Sequence, residues 1–169
     1  IGGSLALALK RANYCEEIVG CSRKSEGLKK AVELGVIDSY TLDPAEAVKG
    51  ADMILLAVPM GAMASVLSSI KGHTEADAVI TDAGSAKASV VAAAESVYGV
   101  IPDNFVPGHP IAGAEKSGVE AALVNLYDDH KVIVTPLPQT SRDAEQRVTE
   151  MWEKAGAEVE TMAVKNHDR

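Results

Sequence analysis

The chain has 169 residues, 47% hydrophobic and 24% charged, with 24 acidic against 16 basic side chains and a formal net charge of -8. That length and composition fit one folded domain with a sizeable core and exclude a mostly disordered or collagen-like chain. The acidic balance speaks against nucleic-acid and anionic-membrane partners, which need a basic face. No apolar run is long enough to span a bilayer, no basic-then-apolar leader is visible, and two cysteines, Cys15 and Cys21, are too few for a disulfide framework, so a cytoplasmic protein is expected.

Taken in chain order, the composition predicts a helix over Ser4–Ala12, a strand over Ile18–Cys21, helices over Ser25–Leu34 and Pro44–Lys49, and a strand over Met53–Val58. A helix over Met60–Ile70, a strand over Ala78–Thr81 and a helix over Lys87–Val97 follow, then strands at Phe105–Val106 and Lys131–Thr135 and a last helix over Arg142–Ala155. The helical stretches are rich in Ala, Leu, Glu and Lys; the strands are β-branched and lack alternation, so they are expected to be buried on both faces. Asp43-Pro44 reads as a helix start, Gly35 and Gly50 as helix ends, and Ser141 as the cap of the last helix. Trp152 shares an apolar stripe with Ala144, Val148, Met151 and Ala155 and is expected in the core. Alternation of strands and helices predicts an α/β fold: a doubly wound, mostly parallel, Rossmann-like sheet with helices on both faces.

Ile1-Gly2-Gly3-Ser4 runs straight into the first helix and resembles the tail of a G-x-G-x-x-G turn, which lets a pyrophosphate approach a helix N-terminus. Gly2 would be the third glycine, with the first strand and first two glycines upstream of Ile1. That strand would lie between Ile18–Cys21 and Met53–Val58, so those two are expected not to pair directly. Gly2, Gly3 and Ser4 are therefore candidate cofactor contacts. Roughly 20 residues on, where an acid would bind the ribose of NAD, stand Ser22, Arg23 and Lys24. A hydroxyl and two cations without an acid favour the 2′-phosphate of NADP over NAD, though charged residues also belong on any solvated loop. Val58-Pro59 and Gly84, at two strand ends, complete the candidate cofactor set.

His109, between Gly108 and Pro110 in a long loop after a strand, is the best candidate base, able to take a hydroxyl proton while hydride leaves the same carbon. Ser85 is its natural partner, or the N-cap of the next helix, or both. Lys87 either fixes the Ser85 loop or is a first-turn surface lysine. Glu115 and Lys116 form an orienting ion pair or a solvated loop. His73, His130 and His167 are scattered and, like the cysteines, make no metal-ligand spacing, so no metal is expected. Nucleophile-elbow and P-loop motifs are absent, which speaks against hydrolase and NTPase functions.

Gly2-Gly3-Ser4, Leu34–Asp38, Ala57-Val58-Pro59, Asp82–Lys87 and above all Gly108–Gly118 resemble prephenate/arogenate dehydrogenases, the tyrosine-pathway TyrA family, over nearly the whole chain. The resemblance implies oxidative decarboxylation of prephenate to 4-hydroxyphenylpyruvate, or of arogenate to tyrosine, with NAD or NADP. It makes His109 the group that takes the ring hydroxyl proton and Ser85 its assistant. It also implies that residues 1–165 are the dinucleotide-binding domain. Residues 166–169 would begin the connection to a helical domain that completes the substrate pocket and makes a homodimer, so the piece by itself is expected to be inactive. Ala114 and Ala86 depart from the family pattern, where Thr and Val are common. Two alternatives remain: another two-domain NAD(P) dehydrogenase acting on a hydroxy acid or imine, and a noncatalytic dinucleotide-binding module.

Overall fold

The structure, a computed structural model, describes residues 1–111, 122 and 124–169. Helix α1 (Gly2–Arg11) buries Ser4, Leu5, Ala6, Ala8 and Leu9 on the face set by its 3.6-residue period. Strands β1 (Val19–Cys21) and β2 (Ser39–Thr41) flank α2 (Ser25–Glu33) and pair in parallel. A Cβ on Gly20 would sit 2.7 Å from Ile37 Cδ1, so any larger residue there would have to displace the tip of that side chain. Helix α3 (Pro44–Ala47) is capped by Asp43, whose carboxylate accepts from the Ala45 amide at 3.0 Å. Strand β3 (Met53–Leu56) leads through a 3₁₀ turn, Met60–Ala62, into α4 (Met63–Ile70). Then come β4 (Val79–Asp82), α5 (Lys87–Tyr98), β5 (Phe105–Val106), β6 (Gly108–Pro110) and β7 (Lys131–Val134). The chain closes with α6 (Arg142–Lys154), β8 (Glu158–Thr161) and α7 (Val164–His167). Gly35 and Gly50, which follow α2 and α3, have φ of 72° and 71°, the left-handed conformation that ends helices.

Strand β4 lies between β3 and β5, parallel to both. Across Pro107 the chain continues from β5 into β6, which pairs antiparallel with β7, and β7 pairs in parallel with β8. Helices cover two faces. On one, Leu5 and Leu9 of α1 pack with Val148, Met151 and Trp152 of α6 against Val79, Val106, Val132 and Val134. On the other, Met63, Leu67 and Ile70 of α4 and Val90 and Ala94 of α5 pack on Ile54, Leu56, Ile80 and Phe105. This is the expected doubly wound α/β architecture. Strands β1 and β3 belong to separate hydrogen-bonded sheets, so the expectation that they do not pair directly is met.

Two expectations are corrected. Burial on both faces holds for β4, but β3 alternates between half-buried and buried residues, and β1 leaves Val19 41% exposed. Strands β2, β6 and β8 and helix α7 were not anticipated. β2 and β8 are polar, and β6 is Gly-His-Pro, a composition that discourages strands unless a partner supplies the pairing. Among the described residues, no helix is long and apolar enough to cross a membrane.

Candidate functional site at the carboxyl edge of the sheet

The carboxyl ends of β3 and β4 lie next to each other, with the Ala83 amide donating to the Leu56 carbonyl at 3.1 Å. Ligands bind outside this edge in open parallel sheets because chain leaving the strands opens a crevice there. A cleft of about 320 Å³ is lined by Ile1, Gly2, Ala57, Val58, Pro59 and Ala83. The Gly2 and Gly3 amides precede the first intrahelical bond of α1, from Leu5 N–H to Ile1 O at 3.0 Å, and buried Ser4 completes that turn. A helix N-terminus of this kind favours an anion. Gly2 stands where a Cβ would already touch Ala57 Cβ at 3.5 Å. Bare amides, glycine and apolar walls fit the pyrophosphate and flat rings of a dinucleotide.

Ser22, Arg23 and Lys24 follow the end of β1 and are exposed, and the Ser22 hydroxyl donates to Lys24 O at 3.0 Å. Gly84, after β4, is held by its amide bond to Asp82 Oδ2 at 2.8 Å. A Cβ there would come within 3.0 Å of the same oxygen. Ser85 is exposed and bonds no other described residue, and it does not cap α5. The cap comes from Asp168, whose carboxylate accepts from the Lys87 amide at 3.0 Å and the Ala88 amide at 2.7 Å.

Lys87 is not a surface lysine, and it shares Asp82 Oδ2 with the Gly84 amide beside Ser85. It is fully buried, and its Nζ lies 2.5 Å from Asp82 Oδ2 and 2.5 Å from Gly108 O. Asp82 Oδ1 accepts from the Gly108 amide at 3.1 Å. One buried ion pair therefore ties the end of β4 to both backbone groups of Gly108, the residue before His109. Burial pushes the Lys87 ammonium below its ordinary range, and the Asp82 carboxylate opposes that shift.

His109 lies on strand β6 rather than in a loop, and its ring is half-buried. Its Nδ1 is 2.9 Å from His167 Nε2, with the rings edge to face. His167 Nδ1 is in turn 2.6 Å from Asp168 Oδ1. Burial lowers the His109 pKa, proximity to the His167 ring and the Lys87 ammonium lowers it further, and Asp82 and Asp168 oppose them. Asp168 is held below the usual carboxylate range first by its His167 bond and then by the helix amides.

The structure thus brings Gly2, Val58 and Pro59 to one cleft and ties Gly84, Lys87 and the residue before His109 together through Asp82, while no contact joins Ser22, Arg23 and Lys24 to either group among the described residues. Glu115 and Lys116 lie outside the described residues. His167 is not scattered but sits against His109. Asp82, His167 and Asp168 were given no role from sequence. Asp82 was visible only as part of the Asp82–Lys87 segment, and 58 residues separate the two histidines, so no local spacing marks them. Among the described residues, no group of three or more His, Cys, Asp or Glu is placed to hold a metal ion.

Residues 5–161 match the family model described as prephenate dehydrogenase, nucleotide-binding domain. The chain is 36% identical over 171 residues to a cyclohexadienyl dehydrogenase of Zymomonas mobilis, covering 99% of this chain and 57% of that protein. The crystal structure of the Aquifex aeolicus prephenate dehydrogenase with hydroxyphenyl propionate and NAD+ superimposes with a TM-score of 0.89 at 37% identity, covering 98% of this chain and 57% of the other. The Synechocystis arogenate dehydrogenase gives a TM-score of 0.88 at 26% identity, covering 98% of this chain and 57% of the other. The chain spans about half the length of the curated relatives it matches.

Proposed function

Because the chain belongs to the prephenate dehydrogenase family, we propose that it is the dinucleotide-binding part of an enzyme that oxidatively decarboxylates prephenate or arogenate in tyrosine biosynthesis. The observation that carries this reading is His109, fixed on β6 beside the end of β4 by the Lys87–Asp82 pair. A bound nicotinamide dinucleotide supplies the hydride acceptor. Gly2, Gly3 and Ser4 at the start of α1 would hold its pyrophosphate, and Val58, Pro59 and Gly84 would wall it. NADP is favoured over NAD because Ser22, Arg23 and Lys24 offer a hydroxyl and two cations to a 2′-phosphate and no carboxylate that would repel it. The Aquifex relative was crystallised with NAD+, so the NADP reading rests on Ser22, Arg23 and Lys24 alone.

His109 takes the ring hydroxyl proton as hydride leaves the same carbon, with Ser85 donating to that oxygen. The bond from the ring to its carboxylate then breaks, CO2 departs, and the bonding electrons make the ring aromatic. The resulting phenolate regains the proton from His109, which leaves the base as it began. Groups that read the keto or amino side chain, and a homodimer contact, are assigned to a helical domain following residue 165.

The test is an assay of the full-length protein with both substrates and both cofactors. The expected result is one CO2 released per reduced dinucleotide, a higher kcat/KM with NADP, and a preference reversed by Ser22→Asp. Absence of turnover with either substrate contradicts the activity. A wild-type preference for NAD contradicts the cofactor assignment alone.

A further inference from the structure

The hydrogen-bond chain running away from His109 determines which of its nitrogens can act as the base. The Asp168 carboxylate accepts from the two first-turn amides of α5, and His167 Nδ1 lies 2.6 Å from Oδ1 of the same group. An ionised carboxylate has no proton to give, so His167 Nδ1 must carry the hydrogen. Neutral His167 then presents a lone pair at Nε2, and His109 Nδ1, 2.9 Å away, must donate to it. The proton of neutral His109 is thereby spent on Nδ1, and its Nε2 is left with the lone pair. We infer that His167 and Asp168 are positioning residues, a relay anchored on the N-terminus of α5 that sets the His109 tautomer and so makes Nε2 the proton acceptor.

The inference rests on the proposed catalytic role of His109 and extends it to His167, which meets the His109 ring, and to Asp168, which ties His167 to the first-turn amides of α5. Among the described residues, the titratable groups facing His109 are His167 and Asp168 at the end of α7, Lys87 on α5 and Asp82 on β4.

Asp168→Asn separates this role from simple capping. Asparagine keeps an oxygen for the Ala88 amide and gives up the bond that Oδ1 accepts from the Lys87 amide. Its NH2 then turns to His167 Nδ1, which reverses the donor order along the whole chain. In the full-length protein labelled with 15N-histidine, the expected result is a change of His109 from Nδ1–H to Nε2–H. With it, kcat should fall about 100-fold or more, the range seen when a base is held in the wrong tautomer, while the KM for substrate and the melting temperature stay near wild type. Unchanged kcat and an unchanged His109 tautomer in Asp168→Asn overturn the relay, as does lost turnover with the tautomer unchanged. His109→Asn serves as the control. If that variant keeps normal turnover, the catalytic role of His109 fails first, an outcome distinct from failure of the relay.

Discussion

Lys87 is the residue on which the site's rigidity depends. Its ammonium is fully buried, and its contacts are the Asp82 carboxylate and the Gly108 carbonyl. Such a pair contributes little net stability over a packed apolar pair, but removing one member strands the other charge. Lys87→Met should therefore destabilise the protein by about 3–5 kcal/mol in chemical denaturation. It should also lower kcat, because Gly108 loses the group that fixes the backbone before His109. A loss under about 1 kcal/mol would mean that Asp82 is solvated or neutral in the fold. The motif containing Lys87 was legible in the sequence, but its burial was not. A lysine in the first turn of a helix normally reaches solvent, and here the covering comes from β6, a Gly-His-Pro stretch with no strand signature. His167 and Asp168 were hidden for a related reason, since their partner His109 is near only in three dimensions.

Among the elements, α6 was the most legible. Ser141 caps it by accepting from the Ala144 amide at 3.1 Å, and Ala144, Val148, Met151 and Trp152 are buried as their spacing predicted. Trp152 is fully buried, edge to face with Tyr127 at 5.1 Å, and its Nε1–H meets no acceptor among the described residues. Its contribution is therefore packing, and Trp152→Ala should cost about 3–5 kcal/mol, read as a lower denaturation midpoint with an unchanged slope. A cost near zero would place the ring outside the core. Edge elements were illegible because their residues face water. In β8, Glu158 and Glu160 are exposed, and Glu160 meets Lys131 across the ladder at 3.3 Å. Apolar content finds central strands such as β4; it does not find strands whose only requirement is a backbone partner.

At the scale of the whole molecule, the doubly wound sheet brings α1, β3, β4 and β6 to one edge and packs helices on both faces. The architecture was readable from alternating strand and helix textures, and the dinucleotide cleft from glycine and proline at strand ends. The net charge of -8 does not preclude the proposed anionic ligand, because α1 begins with helix amides and the residues after β1 include exposed Arg23 and Lys24. The central claim is that this edge carries a base, His109, alongside its cofactor cleft. Burial and the nearby Lys87 ammonium disfavour the His109 imidazolium, so its neutral, proton-accepting form should persist below the ordinary histidine value of 6.5. The most direct measurement is the pH profile of kcat/KM for the full-length protein, wild type against His109→Asn, with dinucleotide affinity measured in parallel. The expected result is a wild-type acid limb below pH 6.5 that disappears in His109→Asn, with turnover reduced about 10²–10⁴-fold and dinucleotide affinity retained. Near-normal turnover in His109→Asn, with the acid limb still in place, would contradict it.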